Sequence, residues 1–106
     1  MSGVSILITT IDDEDKAKAL ARAVLAERLA ACVQIAAIAS HYVWKGEYCE
    51  TREWRLEMKC RGADYPALAA LVRRLHSYET PEILRIDAAD ADLAYAAWLN
   101  GETRRD

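Results

Sequence analysis

His76, Tyr78, Glu79 and Glu82 place one imidazole, one phenol and two carboxylates within seven residues of a 106-residue chain. Pro81 stiffens the turn that carries them. An imidazole beside carboxylates is a ligand set for a divalent cation, and carboxylates beside a phenol also receive a cationic or hydroxylated organic ligand. The same residues have a structural use. An imidazolium at His76 suits the C-terminus of a helix, and Glu79 or Glu82 can pair with Arg73 or Arg74.

Outside this segment, Glu53 stands on the polar side of an alternating stretch, where it either pairs with Arg55 or Lys59 across strands or projects into a cleft. Trp44 and Tyr42 lie near a turn, and with Tyr48 and Trp54 they read as anchors of an interface, with Trp44 also a cleft candidate. Cys32, Cys49 and Cys60 are odd in number and far apart, so they define neither a disulfide framework nor a zinc motif. Cys32 and Cys60 read as small buried hydrophobes, although Cys32 is kept as a weaker metal candidate; Cys49 beside Glu50 is the exposed soft donor. His41 reads as an ordinary strand residue.

Catalytic signatures are missing. The chain has no GxSxG, no HExxH and no glycine-rich phosphate loop, and it holds only two histidines. The expectation is a binding protein that is not an enzyme and that needs no organic cofactor. With 14 Lys+Arg against 17 Asp+Glu the net charge is −3, and the basic residues form no stripe, which argues against nucleic acid and anionic membranes. No apolar run approaches the roughly 20 residues of a membrane span, and the first residues lack a signal-peptide pattern. Reduced thiols fit the cytoplasm, which is the expected compartment.

The elements that must position these groups follow from periodicity. Alternation over residues 4–10 predicts a strand, and the acidic run at 12–15 starts a helix reaching about Leu29. Residues 31–44 read as a second strand, with Ala36 and Ala37 able to host a bulge; Lys45, Gly46 and Glu47 form a turn. Trp54, Leu56, Met58 and Cys60 then alternate with charged residues in a long antiparallel strand. Asp64 is the expected cap of a second helix with Pro66 in its first turn and Leu68, Leu71, Val72 and Leu75 as its buried stripe. A short strand at 82–87 and a third helix from Asp90 or Asp92, stopping at Asn100-Gly101, complete the order, with a frayed polar tail at 102–106.

The result is a single domain over residues 1–106 of class α+β: a ferredoxin-like βαββαβ antiparallel sheet with an extra C-terminal helix. Its hairpin, some 30 residues long, is too long to pair fully with strands of about six residues. The overhang predicts self-association.

Several motifs are specific enough to carry a family resemblance. Leu29-Ala30-Ala31-Cys32-Val33-Gln34, Ser40-His41-Tyr42-Val43-Trp44-Lys45-Gly46-Glu47, then Glu53, Leu56 and Lys59, then His76-Ser77-Tyr78-Glu79-Thr80-Pro81-Glu82, and finally Tyr95 and Trp98 resemble the CutA divalent-cation tolerance proteins. The match runs from about Ile6 to Leu99. It implies a homotrimer of PII-like architecture with clefts between subunits, and a role in tolerance of copper or another divalent cation. A PII-like signalling module that binds a small metabolite or a partner protein is the alternative. Gln34 and Ser77 depart from the family's usual Asn and Pro. The copper ligands assigned in one member fall at Thr9, Leu75 and His76, so only His76 keeps a ligating ring and that particular copper site does not carry over.

Overall fold

Alternation in the first strand puts Leu7, Thr9 and Ile11 on one side of the backbone, and all three are buried. In the computed structural model, which describes residues 2–103, this strand is β1 (Val4–Ile11). It lies inside the sheet, paired antiparallel with β3 (Glu47–Arg61) on one side and β4 (Leu84–Asp87) on the other. With β2 (Cys32–Trp44) outermost beside β3, the strand order is β2-β3-β1-β4. The predicted βαββαβ order and ferredoxin-like class are what the fold shows.

Helix α1 (Glu14–Ala26) starts at Asp13, whose carboxylate accepts from the Lys16 N–H at 3.0 Å. It ends three residues before the predicted Leu29. The Leu29 N–H reaches back to the Val24 carbonyl and the Arg28 N–H to Leu25, with Arg28 itself left-handed at φ 56°, so a Schellman closure stops the helix there. Helix α2 (Tyr65–Leu75) has Pro66 in its first turn, as expected. Asp64 stands at the N-cap position as expected, but its side chain makes no capping hydrogen bond and its carboxylate takes the Arg61 Nε–H at 2.9 Å. Leu75 also departs from the predicted buried stripe and is exposed, whereas Leu68, Leu71 and Val72 pack against Leu20, Val24, Leu56, Met58 and Cys60. Cys60 is core, as its alternation predicts.

Helix α3 (Leu93–Glu102) begins at Asp92 and runs through Asn100 and Gly101, past the expected stop. Thr103 closes it, with its buried hydroxyl donating to the Leu99 carbonyl at 2.8 Å. Of the predicted tail, Glu102 is therefore helical, and residues 104–106 lie outside the described residues.

The β2–β3 register is unbroken from Cys32↔Lys59 to Trp44↔Glu47, so the bulge expected at Ala36 and Ala37 does not form. Lys45 and Gly46 both have positive φ, 52° and 80°, which is the two-residue turn that matches hairpin twist. Because β1 pairs β3 only as far as Trp54, residues 38–44 and 47–53 extend beyond the sheet as a two-stranded arm. This overhang stretches the molecule to 44 Å against 26 and 21 Å in the other directions. Tyr42, Trp44 and Tyr48 are exposed on the arm. Trp54 is not: it packs on the core, with the Arg52 guanidinium 5.4 Å from its ring.

Candidate cation-binding cleft

At the end of α2, His76 leaves the helix with φ −71° and ψ 144°, which turns the chain back toward β1. Its Nε2 lies 2.9 Å from the Thr10 carbonyl, and its Nδ1 accepts the Tyr78 N–H at 3.1 Å. A carbonyl can only accept and a backbone N–H can only donate, so these partners fix the neutral ring with its proton on Nε2. His76 is thus a clip that holds residues 76–78 against β1. The Tyr78 ring sits edge-on to the imidazole at 4.8 Å between centroids.

This clip aims the Tyr78 hydroxyl at Glu53, where it donates to Oε2 at 2.5 Å. Glu53 belongs to the set of β3 residues that points away from Leu56, Met58 and Cys60, so it faces away from the helices. It is nonetheless only 5% exposed. Its second oxygen, Oε1, has no hydrogen-bond partner among the described residues. Burial, then the hydrogen bond to Glu53 and its negative charge, push the Tyr78 phenol far above its ordinary range, so it remains a donor.

Glu53 lines a cavity of about 560 Å³. Tyr42, Trp44 and Tyr78 supply its aromatic surface, while Thr10, Ser40 and Thr80 add hydroxyls. Exposed Glu79 and Glu82 contribute two more carboxylates, His41 reaches the wall from β2, and no lysine or arginine lines the space. Lys45 lies outside the lining, with its Nζ 5.6 Å from the centre of the Trp44 ring. The surface is acidic, aromatic and partly desolvated, a combination that favours a positively charged occupant.

Five of the residues singled out in the sequence therefore meet in one cleft: Trp44, Glu53, Tyr78, Glu79 and Glu82. His76 stands behind them with both ring nitrogens engaged. Cys32 does not join them. It pairs with Lys59, six residues along β2 from Ile38, the partner of Glu53, which is about 20 Å at strand rise. Cys32 is half-buried rather than core, and Cys49 is also half-buried, with its thiol 3.7 Å from the Glu47 carbonyl. Burial first, and the Asp64 charge next, push the Cys60 thiol up to about 11. Thr9 is fully buried with Oγ1 lacking a partner, and Leu75 is exposed, so neither position offers what a copper ligand there would. Among the described residues no three His, Cys, Asp or Glu side chains converge as a ready metal centre.

Sequence reasoning missed Thr10, Ser40, His41 and Thr80 as cleft residues and gave Tyr42 only an interface role. Ser40 and Tyr42 carried a usable signal: they share strand parity with Trp44 on β2 and therefore a face. His41 is no plain strand residue, since its Nδ1 lies 2.5 Å from the Tyr48 hydroxyl and 3.4 Å from Glu50 Oε1.

With this geometry established, comparison with known proteins is specific. The family described as CutA1 divalent ion tolerance protein matches residues 5–102. The divalent-cation tolerance protein CutA of Thermus thermophilus is 36% identical over 99 residues, which is 92% of this chain and 96% of that protein. Protein CutA of Homo sapiens is 38% identical over 101 residues, 94% of this chain, and the chain spans 56% of the human protein's length. The solved structure of a periplasmic divalent cation tolerance protein CutA from Archaeoglobus fulgidus superimposes with a TM-score of 0.93 at 26% identity, covering 95% of this chain and 99% of that one. The chain belongs to the CutA1 divalent ion tolerance family.

Proposed function

We propose that this chain serves divalent-cation tolerance by binding the cation itself, copper or another divalent ion, in the cleft headed by Glu53. It does so as a homotrimer in the cytoplasm and without catalysis. The observation that carries this reading is the Glu53 carboxylate: 5% exposed, bonded through one oxygen only, and set in a cavity with two further carboxylates and no basic lining residue. A buried carboxylate with a vacant oxygen gains much from a nearby cation. Glu53 would hold the ion from the buried side and Glu79 or Glu82 from the exposed side, with Tyr78 orienting Glu53 and His76 orienting Tyr78. Oxygen donors dominate, so hard and borderline ions suit the cleft best.

Trimer formation is supported by the arm, which leaves Tyr42, Trp44 and Tyr48 exposed and gives its strands no third neighbour. Three free thiols support a reducing compartment. No helix among the described residues is long and apolar enough to cross a membrane. A second reading, a PII-like module that responds to a small molecule, is favoured by a cavity volume of about 560 Å³, far beyond the needs of one ion.

Calorimetric titration with Mn(II), Zn(II), Ni(II) and Cu(II) tests the first reading. One site per chain is expected, and Glu53→Gln is expected to weaken it at least tenfold; binding unchanged by that substitution overturns the assignment. Light scattering is expected to give three times the 11.9 kDa chain mass, and a monomer would remove the trimer.

A further inference from the structure

We infer that the cleft receives a linear organic polycation, a diamine or triamine with protonated nitrogens at both ends. This rests on the reading that the cleft is a cation site and names a class of occupant for it. Volume is the first argument. At about 560 Å³ the cavity lies in the range of small-molecule sites, roughly 300–1,000 Å³. The arrangement of charge is the second. Glu53 is buried while Glu79 and Glu82 are exposed, so negative charge sits at two depths of one cavity and does not converge on a point. An extended dication meets both depths, whereas a single ion meets one.

The aromatic surface is the third argument. Tyr42, Trp44 and Tyr78 line the space, and the Lys45 Nζ, 5.6 Å from the Trp44 ring centre, shows that an ammonium has room to approach that ring. Ring faces attract alkylammonium groups most strongly where water is excluded, and they also pack against the methylenes between the charges. Glu53 Oε1, with no hydrogen-bond partner among the described residues and in a side chain 5% exposed, is the acceptor for the inner ammonium. Thr10, Ser40 and Thr80 offer hydroxyl oxygens for its remaining N–H groups.

Calorimetry with spermidine and 1,4-diaminobutane in 150 mM NaCl, with butane-1,4-diol as the uncharged control, tests this on the full chain. Saturable binding of the amines and none of the diol is expected. Glu53→Gln is expected to weaken binding at least tenfold, and Trp44→Leu, with light scattering showing the same mass as the unaltered protein, about threefold or more. Glu27→Gln, on the far side of the fold at the end of α1, is expected to change nothing. Competition on the unaltered protein needs no variant: spermidine is expected to displace Mn(II). Glu53-dependent metal binding without amine binding overturns this inference and leaves the cation reading standing. Failure of metal and amine alike overturns both. Amine binding that survives Glu53→Gln and Trp44→Leu unchanged also overturns it, because that is diffuse attraction to a chain of net charge −3.

Discussion

Replacing Tyr78 with Phe removes one oxygen and leaves the ring that packs on His76 and the core. The lost hydroxyl is the only hydrogen-bond donor to the Glu53 side chain among the described residues, at 2.5 Å. A hydrogen bond to a charged group contributes about 1.5–3 kcal/mol, and a buried carboxylate left without a donor keeps its desolvation cost. With Glu53 5% exposed, Tyr78→Phe is expected to destabilise the fold by about 2 kcal/mol. If the effect belongs to the pair, it shrinks when Glu53 can no longer accept. In a Glu53→Leu background, Tyr78→Phe should cost less than about 0.5 kcal/mol, a coupling of about 1.5 kcal/mol. Guanidinium unfolding followed by circular dichroism at one fixed protein concentration reads all four corners of the cycle. Equal costs in the two backgrounds would refute the reasoning.

Other consequences can be measured on the same samples. Thr9→Val removes a fully buried hydroxyl that has no partner and nearly conserves volume, so a gain of about 1 kcal/mol is expected in the same unfolding assay. Gly46→Ala places a Cβ at φ 80° in the arm turn and is expected to cost about 1 kcal/mol. Cys60 holds its proton to about pH 11 in the folded chain against an ordinary value of 9.0. Above that ordinary value the unfolded chain binds fewer protons than the folded one, so stability falls as pH rises from about 9 to 11, by about 2–3 kcal/mol. Unfolding scans across this window should show the fall, and Cys60→Ala should remove the part between about pH 9 and 10, below the range where the raised Tyr78 phenol adds its own loss.

The order of elements was legible because period-two and period-3.6 patterns are strong in Trp54–Cys60 and in Leu68–Val72, and because β1 and α1 are separated by an acidic cap. Element ends were harder to read. Arg28 closes α1 in a left-handed conformation that usually signals glycine, and Gly101 sits inside α3 where glycine usually marks a stop. Asp64 looks like a cap in sequence, but the nearby Arg61 guanidinium competes for its carboxylate and wins. In the cleft, the motif at residues 76–82 and the parity of Glu53 were visible. What no local pattern encodes is that His76 spends both nitrogens on Thr10 and Tyr78, so that an apparent ligand becomes a clip. The distance of Cys32 from the cleft was equally hidden, because it depends on the β2–β3 register over the whole hairpin.

The claim that the Glu53 carboxylate heads a cation site has a direct test in anomalous diffraction from crystals soaked with Mn(II) and, separately, Cu(II). The expected result is a difference peak within coordination distance of Glu53 Oε1, bounded by Glu79 or Glu82, and absent from Glu53→Gln crystals. A peak at Cys32, or at His41 and Glu50 alone, with none at Glu53 would contradict it.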